Sequence, residues 1–172
     1  MLVVLRIIGV FNAAIWLGTT VFFTLGVARG VFSPEMKKLF PGEYTGLIGQ
    51  VLIARYFTFH IVCCLIAIAH FVAEMIYAGK PFRRFTFGLL IGILALGLLG
   101  QRVFAPKIKE AHQARYHGPV EQRAEAEKRF GRLHGFSAGG NLLTMLALII
   151  YTWQVTNPSD PMRFVGTAKF RG

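Results

Sequence analysis

The sequence predicts an all-α integral membrane protein, a four-helix bundle running up, down, up, down, with polar helical loops on one side. Three observations predict it. Hydrophobic residues make up 54% of the 172 and charged residues 16%, against about a quarter charged in an ordinary soluble domain. The mean hydropathy is +0.52. The apolar residues gather in four blocks, roughly 3–28, 51–78, 85–105 and 134–154. Each is long enough to cross ~30 Å of hydrocarbon at ~1.5 Å per residue. Short connections make consecutive helices antiparallel neighbours, and no stretch alternates with the period of two that a strand requires. The blocks form one domain, 1–156, and 157–172 reads as an irregular C-terminal tail.

The first block, LVVLRIIGVFNAAIWLGTTVFFTLGVARG, has no basic leader and a longer apolar run than a cleaved leader carries, so it reads as a retained helix. After it, Ser33-Pro34-Glu35 is a helix start and Pro41-Gly42 a stop. The short helix between them places Met36, Leu39 and Phe40 on the membrane surface, with Lys37 and Lys38 toward phosphates. Between the third and fourth blocks, APKIKEAHQARYHGPVEQRAEAEKRFGRLHG reads as two polar helices broken at Gly118-Pro119, the second supported by Glu125 and Arg129 at i, i+4.

The net charge of +11 sits beside apolar blocks, which makes anionic lipid headgroups its partner rather than nucleic acid. Twelve basic residues, among them Arg29, Arg55 and the run from Arg102 to Arg132, lie in the two long loops. Seven (Arg6, Lys80, Arg83, Arg84, Arg163, Lys169 and Arg171) lie on the other side. That bias places the long loops in the cytoplasm, and the expected location is a bacterial inner membrane.

Polar side chains inside such blocks are costly and need a reason. In the second block Tyr56, His60, Cys63, Ala67, His70, Glu74 and Tyr77 step by four and three, which puts them on one helical face turned toward the other spans. The fourth block offers His134, Ser137, Asn141 and Thr144 at matching steps, and the first offers Asn12, Trp16, Thr19 and Phe23. Gly88 and Gly92 in the third are a close-packing pair, of a kind that serves contacts within or between subunits. Counting inward from the long-loop side puts His60 at ~6 Å, Gln101 at ~5 Å and Asn141 at ~8 Å, one polar layer that also includes Ser137. His70 and Asn12 fall together at ~21 and ~22 Å, and Glu74 and Arg6 at ~27 and ~31 Å, near enough for an ion pair.

These residues admit three readings. They can be hydrogen-bonded interior contacts that fix helix register. His60 and His134 can be the axial ligands of a b-type haem, with Gly135, Gly139 and Gly140 making room. His60 with Cys63, and a methionine such as Met145, can bind copper. Cys63 and Cys64, being adjacent, do not suit a disulfide. Nucleotide-loop, nucleophile-elbow and zinc-protease motifs are absent, and Glu74 is the lone inward carboxylate, so no enzymatic activity is expected.

NAAIWLGTTVFF in the first span, RYF opening the second, FAPKI leaving the third, and Phe130, His134, Ser137 and Asn141 entering the fourth occur in that order. Together they resemble the transmembrane-protein-205-like family of small four-span membrane proteins over residues 5–150. The resemblance implies the four-helix fold and little chemistry. Through a distant grouping with the copper-resistance D membrane proteins it also lends weight to the metal reading. His60, Cys63, Cys64 and His70 lie outside the shared motifs. The sequence thus leads to a structural or accessory subunit of a membrane assembly, packed against other subunits or a second copy of itself. Haem or copper binding is the alternative.

Overall fold

The computed structural model describes residues 2–157. The tail beyond Asn157, with Arg163, Lys169 and Arg171 of the charge count, lies outside the described residues. The chain forms α1 (Leu2–Phe22), α2 (Ala28–Val31), α3 (Pro34–Leu39), α4 (Gly42–Ala78), α5 (Arg84–Leu99), α6 (Ala105–His117) and α7 (Val120–Thr156). Single π-helical turns, Phe23–Val27 and Gly100–Phe104, join α1 to α2 and α5 to α6. Four helical rods are long and apolar enough to cross a membrane. Each of the four touches two others in the cyclic order α1, α4, α5, α7. Neighbours are antiparallel, as short connections require.

Local chemistry explains the ends. Ser33 accepts the Met36 amide at 3.2 Å with Pro34 in the first turn, so α3 starts where the sequence places it. Pro41 does stop α3, but it also opens α4, and the second span begins nine residues before its apolar block. Gly79, the one residue with positive φ (61°) among those described, closes α4 in the left-handed conformation. The polar hairpin of α6 and α7 breaks at Gly118-Pro119 as expected. Its ion pairs cross between helices, Arg115 to Glu127 at 3.0 Å and Arg129 to Glu110 at 3.6 Å. Arg129 therefore reaches Glu110 rather than Glu125.

The buried apolar core is Ala13, Trp16, Cys63, Cys64, Ala67, Phe71, Leu90, Ile93, Leu148 and Tyr151, drawn from all four spans. The outer faces carry Val3, Phe11, Phe22, Val62, Ile76, Leu142, Leu146 and Trp153, all exposed. Such an inside-out surface is stable only against lipid.

Candidate functional site: a satisfied polar layer

The seam on α4 faces inward. Tyr56, His60, Cys63, Ala67 and His70 are buried, while Val62 and Ile66 on the opposite face are exposed. Tyr77, at the end of the seam, is exposed, because a 3.6-residue helix drifts from a strict heptad.

His60 is 2% exposed. Trp16 Nε1 of α1 donates to its Nδ1 at 2.9 Å. Because an indole can only donate, Nδ1 must hold the lone pair and Nε2 the proton. The Nε2 edge lies against α5, where a Cβ on Gly97 would sit 2.7 Å from Cδ2 and 3.2 Å from Nε2. The bare backbone there lets the ring pack directly against α5. One imidazole thus touches three spans, with its Nδ1 bonded to Trp16.

A turn closer to the long loops, the Tyr56 hydroxyl donates to Asn141 Oδ1 at 2.7 Å, and Asn141 Nδ2 donates to Thr24 Oγ1 at 2.6 Å. Thr24 and Thr20 return their hydroxyls to the carbonyls of Thr20 and Trp16, at 2.7 and 2.9 Å. Phe23 stacks on Tyr56 with 4.3 Å between centroids. Both π turns sit at this level, one supplying Phe23 and Thr24 and the other lining the adjoining space with Gly100 and Phe104. A π turn inserts one extra residue and re-aims the side chains beyond it, and such turns often mark functional sites. Beside the layer, between α4, α5 and α7, lies a cavity of ≈ 40 Å³.

The deeper expected contacts are arranged differently. Asn12 reaches α4 through Nδ2, which donates to the Cys63 carbonyl at 3.0 Å, rather than meeting His70. His70 instead lies over Gly9, with Nε2 unpartnered and 4.0 Å from Glu74. Arg6 is exposed and the expected Arg6–Glu74 pair is not formed; Glu74 takes Lys80 at 2.6 Å and Arg83 at 3.7 Å. The left-handed Gly79 turns the chain so that Lys80 comes back over Glu74, and this local partner needs no matching of depth between spans. Gln101 donates to Thr58 at 3.3 Å on the outside of the bundle and does not join Asn141. Ser137 lines the cavity. Gly88 and Gly92 are exposed with nothing within 4 Å of an added Cβ; the close approach to α4 uses Gly97 and Gly100 instead.

The structure does not bring His60 and His134 together. His134 stands by Phe130 and Phe32, 6.0 and 6.4 Å between centroids. From the Tyr56–Asn141 bond, His60 lies one turn inward and His134 seven residues outward, a separation of ~16 Å along the axis. That exceeds the ~9 Å counted from the sequence, and Gly135 and Gly139 open outward rather than onto His60. Cys63 faces the α1 side through its carbonyl, while Cys64 Sγ points at the Leu90 carbonyl of α5, 3.4 Å away. Among the described residues no group of three His, Cys, Asp or Glu side chains is placed to hold a metal ion.

A further buried histidine secures the loops. His112 of α6 lies over Gly46 of α4, and its Nε2 contacts the Glu43 carbonyl at 3.1 Å. A carbonyl only accepts, so Nε2 carries the proton and the buried Nδ1 has no partner. Burial lowers the His112 pKa, with the Arg115 charge adding to the effect and the Glu43 backbone bond opposing it. Free His titrates near ~6.5, so below that value the unfolded segment binds more protons than the folded one. Docking of α6 on α4 should therefore be firm at neutral pH and weaken as pH falls. Amide protection over residues 105–130, corrected for the intrinsic pH dependence of exchange, should fall between about pH 7.5 and about pH 5.5, and His112→Gln should flatten the change. Equal acid sensitivity in the variant would assign the effect to a group other than His112.

Taken together, the four lipid-facing spans and their hydrogen-bonded interior define a small integral membrane protein. The chain belongs to the family described as a domain of unknown function, DUF4149, whose model matches residues 11–117. That range runs from the middle of the first span through the third, with Trp16, Tyr56, His60 and Gly97. No curated protein and no solved structure matches the chain.

Proposed function

We propose that the protein is a structural or accessory subunit of a membrane assembly and has no catalytic activity of its own. One observation carries this reading. At the centre of the bundle Trp16 is bonded to His60, and Tyr56 to Asn141, which in turn reaches Thr24, so these side chains fix the positions of the helices. Gly131, Gly135 and Gly139 add support: they follow at four-residue steps along α7, exposed, with open space where a Cβ would be. A neighbouring helix can approach closely there. The reading includes a bacterial inner membrane with the long loops in the cytoplasm, on the charge bias, and kinship with transmembrane-protein-205-like proteins, on the ordered motifs.

The test is a mild-detergent extract run on a native gel, with an absorption spectrum and elemental analysis of the purified chain. The expected result is migration above the monomer mass, reduced to monomer by Gly135→Leu with the melting temperature unchanged. Monomeric migration of both forms would remove the proposal. A Soret band or stoichiometric copper would replace it with haem or copper binding, through ligands rearranged from their positions in this fold.

A further inference from the structure

The cavity between α4, α5 and α7 has a polar floor and an apolar rim. Ser137, Asn141 and Thr144, on one face of α7, line it together with Gly97, Gly100 and Gly140. Thr144 is 5% exposed. Thr20, Thr24 and Thr58 each return their hydroxyl to the carbonyl four residues back. Thr144 does not, and among the described residues neither its hydroxyl nor that of Ser137 has a hydrogen-bond partner in the fold. Both residues line the cavity, so a polar group placed in it can meet their hydroxyls. The rim is formed by Leu99 and Phe136, 47% and 70% exposed on the lipid-facing surface. No charged residue lines the space.

We propose that this cavity binds the uncharged polar end of a lipid-soluble molecule, a single hydroxyl or carbonyl on an apolar chain. The head meets Thr144 and Ser137 while the chain leaves past Leu99 and Phe136 into the bilayer. At ≈ 40 Å³, the cavity has room for ~3 water-sized groups, enough for a hydroxyl and its first carbons. Charged heads are excluded because nothing in the lining neutralises them. A free long-chain alcohol and a neutral glyceride of the bilayer share this chemistry. The inference is independent of the accessory role.

The test uses the full chain in detergent and a hexadecanol carrying a diazirine next to its hydroxyl end. After irradiation, label should appear in segments 96–104 and 136–144. Excess hexadecanol or dioleoylglycerol should displace it, and whichever competes better identifies the source. Hexadecane and hexadecyl phosphate should not displace it. Thr144→Val, which keeps the side-chain shape, should weaken hexadecanol competition roughly five-fold, the worth of one neutral hydrogen bond. Gly140→Leu, which fills the open space, should abolish labelling, with an unchanged melting profile as the control for folding. Displacement by hexadecane equal to that by hexadecanol would overturn the proposal, as would labelling unaltered in both variants. In that case the space holds water or ordinary annular lipid.

Discussion

His60→Ala should destabilise the detergent-solubilised protein by about 3 kcal/mol, seen as a lower thermal midpoint. Two losses contribute. The ring is 2% exposed and packed between Trp16 and Gly97, so its removal leaves a void that a rigid bundle closes only in part. Trp16 Nε1, on a fully buried side chain, also loses its acceptor. His60→Leu, closer in volume, isolates the second loss at about 2 kcal/mol. Trp16→Phe removes the donor from the other side. Removing both partners leaves no orphan, so Trp16→Phe combined with His60→Leu should cost about 1 kcal/mol less than the sum of the single changes. Strict additivity would mean that the 2.9 Å bond contributes nothing to the fold.

The inward face of α4 was legible in the sequence because two rules agree on it: helical periodicity groups Tyr56, His60, Cys63 and His70, and hydrocarbon penalises exposing them. The partners were not legible. A donor such as Trp16 or an acceptor such as Asn141 carries no mark of which helix it will meet, and counting depth leaves errors of a turn or more. Thr20 and Thr24 continue the four-residue steps of Asn12 and Trp16 toward Tyr56 and Asn141, a signal present in the sequence but masked by Thr19, which fits a three-residue step equally well. Neither π turn changes hydropathy, so neither could be seen in advance. The Glu74 pairing was open to a simpler reading, since Gly79 and Lys80 follow closely and local chain reversal needs no agreement between distant spans. Glycine spacing misled for a similar reason: Gly88 and Gly92 announce small size, but only packing reveals which small face is used.

Gly97, on the small face that is used, should be far less tolerant of substitution than Gly88 or Gly92. Gly97→Leu should cost about 3 kcal/mol, because its Cβ alone would stand 2.7 Å from His60 Cδ2 and 3.6 Å from Ile61 Cγ1. The ring has no free direction in which to retreat: Trp16 holds its far nitrogen and Tyr56 lies alongside, 6.0 Å between centroids. Relief must come from separating α5 from α4. The damage should therefore extend to the Trp16–His60 bond, and tryptophan fluorescence should shift with the melting curve. Gly88→Ala and Gly92→Ala meet open space, and helix propensity alone predicts a change of no more than about 1 kcal/mol in the stabilising direction. If all three substitutions cost the same, the loss would reflect a general need for glycine in the third span. A large effect confined to Gly97 would instead tie that glycine to the histidine it accommodates.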